Sequence, residues 1–199
     1  MRISPVLPGT IAILSLTSTV LAGTNNKDHD LHGKRHGCLT DHEAEALQWR
    51  WINFFTNFDP AIAEKSIADG FQLFSESTNY LTPGFNQSNA ANPTYSSKAE
   101  FIAGQSGVQN PGVTPEQLFT VLASDHGCNS FTFRWTFNVN PPVAGIDFVF
   151  VAHDSYLIEK AYSEYNTEAI LIGAGCDFVG GVCGTQACEK SGCGPAPLT

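Results

Sequence analysis

The chain has 199 residues, 42% of them hydrophobic and only 15% charged, with a formal net charge of −9. That length suffices for one domain of ordinary size with its own core. The acidic balance, with no basic stripe to offset it, repels phosphate backbones and anionic membranes and argues against a nucleic-acid partner.

Residues 1–22 read as a secretory signal peptide. Arg2 supplies a short positive region, the stretch from Val6 to Leu21 is mostly apolar, and Val20-Leu21-Ala22 is a small-residue cleavage pattern. Pro8, Gly9 and Thr10 interrupt the run, which a membrane anchor of about 20 apolar residues would not tolerate. Once this segment is removed, no membrane association is expected. Residues 23–37 are polar and aperiodic and read as a disordered leader. Its three histidines, His29, His32 and His36, admit a metal-binding tail as the rival reading. The dibasic pair Lys34-Arg35 suggests a propeptide ending at residue 35. Its removal would leave 6 cations against 17 acids, a charge of −11.

Six cysteines after a signal peptide read as disulfides. Cys38 and Cys128 stand apart, while Cys176, Cys183, Cys188 and Cys193 crowd the C-terminal end. The simplest partition pairs Cys38 with Cys128 and keeps the last four among themselves. The first bridge would close a long loop and stabilise the fold by roughly 4 kcal/mol on the chain-entropy account. Zinc is disfavoured for the last four, because their gaps of six, four and four residues are not paired zinc knuckles. Residues 176–199, rich in glycine, read as a stapled tail.

Between these ends lies one domain, residues 38–175. Thr40-Asp41-His42-Glu43 is a capping box that opens a helix to about Phe58, with Leu47, Trp51, Phe54, Phe55 and Phe58 along one stripe. Asp59-Pro60 starts a second helix, which Asp69-Gly70 ends. Residues 71–77 alternate as a strand, with Phe71, Leu73, Ser75 and Ser77 on one face. Residues 79–96 read as a loop that carries the glycosylation acceptor Asn86-Gln87-Ser88. Ser97 and Glu100 cap a short helix to about Gly104, Thr114 to Gln117 open a helical turn, and residues 118–123 read as a strand. Strands at 131–138, 147–152 and 157–166 follow, then a short helix at 167–172. Helices first and antiparallel strands after predict an α+β fold.

This order resembles the nuclear transport factor 2-like superfamily, which includes ketosteroid isomerase, scytalone dehydratase and SnoaL-like cyclases. Leu157 through Asn166 looks like its last strand, and Glu168 to Gly173 like the helix that follows. Cys38-Leu39-Thr40-Asp41, the block from Phe71 to Asn79, Phe101-Ile102-Ala103-Gly104-Gln105 and the block from Cys128 to Trp135 resemble a fungal secreted branch. The resemblance implies a cone-shaped, curved antiparallel sheet wrapped by N-terminal helices, a cystatin-like α+β roll. It implies a cavity for a small, largely apolar molecule, no cofactor, and a homodimer through the outer sheet face.

A cone needs polar groups aimed into it. The candidate lining is Trp51, Phe55, Ser75, Ser77, Arg134, Tyr162 and Asn166. If chemistry occurs, Glu164 with Tyr80 or His126 are the acid and base of a cofactor-free lyase, isomerase or cyclase. Glu164 in an apolar cup would carry a raised pKa unless Arg134 held it ionised. Alternation alone does not say which face is concave, and an Arg134–Glu164 pair on the solvent or dimer face is the blander reading of the same residues. Asn166 stands near a position where cyclase-like relatives carry an acid, and an amide cannot abstract a proton. Asp125, His153, Asp154 and His42 lie in turns or an exposed helical turn and are read as solvated. A secreted interaction protein that works through its surface is the third reading.

Overall fold

The computed structural model describes residues 37–82 and 87–173, with two short strands at Phe178–Val179 and Val182–Cys183. The expected signal peptide, the leader with Lys34-Arg35, the acceptor Asn86, and Cys176, Cys188 and Cys193 lie outside the described residues.

Local chemistry sets each helix start. Thr40 accepts from the Glu43 amide while the Glu43 carboxylate accepts from the Thr40 amide at 3.0 Å, and α1 runs Asp41–Asn53. Asp59 caps α2, Pro60–Ser66, through the amides of Ala61 and Ile62. Ser97 caps α4, Lys98–Gln105, and Thr114 with Gln117 boxes the single turn α5, Pro115–Leu118. These bonds, reciprocal at Thr40 and Glu43, satisfy amides that a helix start otherwise leaves bare.

Several boundaries differ from the expectation: the strand expected at 118–123 runs on to His126 and takes in Asp125 and His126, where a turn is expected, and the strand expected from 147 begins at Val143. Helix α1 stops at Asn53, and residues 54–57 form turns in which Phe54 and Phe58 still reach the core. Helix α2 ends at Ser66, and Asp69-Gly70 falls inside strand β1, Ile67–Phe74. Ser75 ends the strand: its Oγ accepts from the Thr78 amide and starts a further helix, α3, Glu76–Leu81. A serine that prefers to cap overrides the alternating pattern that had suggested a strand to Ser77.

Strand β2, Phe119–His126, is followed by β3, Ser130–Phe137, β4, Val143–Val151, and β5, Ile158–Tyr165, with α6, Thr167–Gly173, closing the domain. The sheet order is β1-β5-β4-β3-β2, and it is curved and unclosed. The last four strands form an antiparallel meander, but β1 lies parallel to β5. The sheet is therefore mixed rather than wholly antiparallel, because β1 reaches its neighbour by a long crossover and not by a hairpin.

The burial pattern settles which face is concave. Phe131, Phe133 and Trp135 of β3, Val143, Asp147, Val149 and Val151 of β4, and Ala161 and Ser163 of β5 point to the helices and are buried. A one-residue irregularity at Glu159 lets Ile158 join them. Trp51 from α1 enters this concavity fully buried, stacks on Phe101 at 5.9 Å and meets Phe54 and Phe55 edge-on. Each such ring contributes about 1.5–3 kcal/mol by burial alone.

The Cys38–Cys128 bridge ties the segment before α1 to the β2–β3 turn, and the Leu39 amide donates to Cys128 O at 3.0 Å. His126 joins this clasp, its Nε2 2.9 Å from Asp41 Oδ1. The hydrogen bond to Asp41 raises the His126 pKa above its ordinary 6.5, helped by Gly127 O. A raised folded-state pKa means that the contact stabilises the protein fully below about pH 6.5 and is lost as pH rises through the folded value. Proton titration by NMR should place His126 above 6.5 in the native protein and nearer 6.5 in Asp41→Asn. The effect on stability is small, because Asp41 is fully exposed.

Candidate functional site

The strand register stacks the concave face in layers. Trp135, Gly145 and Tyr165 lie side by side, and one layer deeper lie Phe133, Asp147 and Ser163. Asp147 is thus a carboxylate in the buried phase of a strand, only 4% exposed. Trp51 Nε1 donates to its Oδ2 at 2.7 Å, while Trp135 Nε1 and Ser163 Oγ donate to its Oδ1 at 3.0 and 2.7 Å. Indole N–H groups only donate, so both tryptophans are matched to an acceptor and hold the carboxyl group between them.

Burial pushes the Asp147 carboxyl above the ordinary carboxylate value. Ser163, Trp135 and Trp51 oppose that shift in decreasing order, and the charge of Glu164 adds a further push upward. For an acid with a raised folded-state pKa, the stabilisation present below about pH 3.9 is lost as pH rises through the folded value. The stability advantage of native protein over Asp147→Asn should therefore shrink as pH rises from 4 to 8, read from urea midpoints of both proteins. A gap that widens with pH would contradict the upward shift.

Gly145 is required by this packing. A Cβ there would run into the Trp135 indole, so only glycine lets the ring lie over β4 with its N–H aimed at Asp147. Above it, Tyr165 Oη lies 3.0 Å from Thr78 Oγ1, and burial raises the phenol pKa. Phe137 and Tyr165 are half-buried at this end of the cone, the Tyr165 ring 6.4 Å from Trp135 and Phe137 packed with Phe119 beside it.

The residues expected to act together are dispersed. Glu164 points away from the cone, toward α3. Its Oε1 accepts from the Glu76 amide at 2.7 Å, and its Oε2 accepts from the Ser77 amide at 2.9 Å and from Ser77 Oγ. The carboxylate thereby satisfies the first amides of α3, a favourable place for a negative charge. Arg134 is exposed on the outer face, one strand removed from Glu164, with Ile146 of β4 between them, so the Arg134–Glu164 pair does not form. Tyr80 is 41% exposed on α3, and His126 sits in the clasp at the opposite end of its strand from Phe119. These three groups do not share a site.

Of the expected lining, Trp51 stands at the floor of the cone, and Phe55 packs on it at 5.1 Å. Ser75 is buried as the cap of α3, and Ser77 bonds Glu164 and both backbone groups of Tyr165. Tyr162 is exposed on the outer face. Asn166 is also exposed, and its Oδ1 accepts from the Ala169 amide at 3.3 Å, which caps α6. Asp147, Trp135, Ser163 and Gly145 were not among the expected site residues. The available signal was a lone acid two and four residues before Val149 and Val151, in phase with the apolar face.

Among the described residues no group of three or more His, Cys, Asp or Glu is placed to hold a metal ion, and no helix is long and apolar enough to cross a membrane.

A curved sheet with helices on its concave side and a polar group at the floor defines a cone-shaped α+β roll. The chain belongs to the NTF2-like domain family, whose model matches residues 37–177. No curated protein matches it. Among solved structures it is similar to an NTF2-like protein of unknown function from Silicibacter pomeroyi, at 11% identity and TM-score 0.44, covering 64% of this chain and 100% of that one. A SnoaL-like protein of unknown function from Burkholderia thailandensis is 17% identical with TM-score 0.45, over 65% and 98% of the two chains. A protein from Catenulispora acidiphila with a ketosteroid isomerase-like fold, in complex with trimethylamine, is 9% identical with TM-score 0.45, over 68% and 95%.

Proposed function

We propose that this is a secreted, fungal-type NTF2-like protein that receives a small, largely apolar molecule at the Trp135–Tyr165 end of its cone. The observation that carries the reading is Asp147, a buried carboxylate held by two indoles and a hydroxyl inside an aromatic concavity. A buried acid with a raised pKa inside a pocket-forming fold is a candidate functional centre. Secretion is supported by the apolar leader in residues 6–21 and by the Cys38–Cys128 bridge, which suits an oxidising compartment. Glycosylation at Asn86 belongs to the same reading and is checked by a mass shift on enzymatic deglycosylation.

Binding is favoured over catalysis because Glu164 and His126 serve separate structural contacts, Tyr80 lies exposed on α3 apart from both, and Asp147 is already engaged by three donors. A surface-interaction reading has its own support: Leu122, Ile146, Phe148 and Tyr162 are 40–53% exposed on the outer side of the sheet. Native mass spectrometry of the secreted protein tests the main proposal. The expected result is a non-covalent adduct that disappears on denaturation and is absent from a folded Asp147→Leu variant. Adduct-free protein whose tryptophan emission ignores added culture extract would sink it.

A further inference from the structure

A second concavity lies on the other side of the sheet, and it originates in the backbone. Ile67 of β1 pairs with Ile158 of β5, and the next pair is Gln72 with Lys160. Four residues of β1, from Ala68 to Phe71, therefore stand opposite Glu159 alone. The bulged segment leaves the ladder, and it is fastened elsewhere: Asp69 is bound by Lys98 Nζ at 2.6 Å. Bulges of this kind bend a strand and open space beside it.

The space is an open groove of about 520 Å3, floored by Ala68 and Gly70 and walled by Gln72, Phe150, Lys160 and Tyr162. Its aromatic wall continues along the sheet. Phe74 stacks on Tyr162 at 5.2 Å, Tyr162 meets Phe150 at 6.3 Å, and Phe150 meets Phe148 at 4.4 Å. Tyr162 and Phe148 are 42% and 40% exposed. The groove thus mixes exposed aromatic rings with an amide, a phenol and one charge of each sign, from Glu159 and Lys160. It also presents backbone groups of residues 68–71 that have no register partner in β5.

These features define the occupant. Polyanions are repelled by the acidic domain, and a purely apolar ligand would strand Gln72, Glu159 and Lys160 without partners. A peptide adding as a strand needs a regular edge, which the bulge removes. A neutral chain of sugar rings matches: its C–H faces lie on aromatic rings, and its hydroxyls both donate and accept toward the amide and the charged groups. We infer that the groove between β1 and β5 is a glycan-binding site for neutral oligosaccharides, with Tyr162 and Phe150 as the stacking platform. It lies on the outer face and is separate from the cone.

Gly70 provides a clean test. A Cβ there meets no heavy atom within 4 Å, and Gly70 is outside the positive-φ region, so a large side chain can be added without strain. The secreted full-length protein is passed over insoluble chitin, cellulose and β-1,3-glucan and titrated with the corresponding soluble hexasaccharides. Retention is expected on at least one polymer, falling by about tenfold or more in Tyr162→Ala, as loss of a stacked ring implies. Gly70→Trp, which fills the groove, should lose retention equally while its urea midpoint stays unchanged. No retention and no hexasaccharide binding by the native protein would overturn the assignment, as would retention that survives both substitutions. Variants that change only the sedimentation coefficient would overturn it too, by making this face a contact between two copies of the chain.

Discussion

Trp51→Ala should lower stability by about 3–5 kcal/mol, read as a shifted urea midpoint at unchanged slope. Trp51 is fully buried, stacked on Phe101 with planes 9° apart and in contact with Phe54, Phe55 and Phe71. Its removal opens a cavity among rigid rings that cannot collapse onto it. It also takes one donor from Asp147, leaving Trp135 and Ser163. Trp51→Phe separates these contributions: most of the packing stays, and the lost N–H costs about 1–3 kcal/mol. That smaller loss should largely vanish in an Asp147→Leu background, where no buried oxygen awaits the indole. Equal losses in both backgrounds would show that Trp51 acts through packing alone.

Removing the bridge by Cys38→Ser with Cys128→Ser should cost about 4 kcal/mol. The sequence separation is 90 residues, so the bridge excludes many extended conformations of the unfolded chain. The polar contacts around it are few: Leu39 N–H to Cys128 O, and the exposed pair His126 and Asp41. They hold the clasp in register and do not replace the cross-link. Equilibrium unfolding of the native protein and of the serine pair, both without reductant, measures the difference. A loss under 1 kcal/mol would mean that the unfolded chain keeps these ends together by other contacts.

Much of the architecture could be read from short-range chemistry. The pairs Thr40/Glu43, Ser97/Glu100 and Thr114/Gln117 announce helix starts because capping involves only neighbours. Alternation in β3 and β5 likewise reports a sheet with one buried face. The limits were physical too. Asp69-Gly70 looks like a breaker, yet a bulge admits both residues inside a strand, since bulged positions need no ladder partner. Residues 71–77 alternate like a strand, but the Ser75 hydroxyl, which captures an amide three residues on, turns the chain into α3.

The site was less legible for a related reason. Glu164 sits in a strand among aromatic neighbours and suggested a pocket acid, but its fate was decided by α3, a helix hidden in an apparent loop. Asp147 had no neighbour in sequence to explain it. Its partners are Trp51, 96 residues earlier, and Trp135 and Ser163 on adjacent strands. Only the strand register brings them together, and register is a property of the folded sheet rather than of any window of sequence.

The parallel pairing of β1 with β5 has a consequence in time. As the chain leaves the ribosome, β1 emerges early, and Phe74 then waits for Tyr162, its register partner in β5. Until then Ile67, Phe71 and Leu73, all buried in the finished protein, lack the strand that covers their flank. The meander from β2 to β5 pairs neighbours and can assemble as it appears, whereas β1 docks last and at long range. Translation that stops before Ile158 leaves an uncovered apolar strand, so incomplete chains are the form of this protein most prone to aggregate.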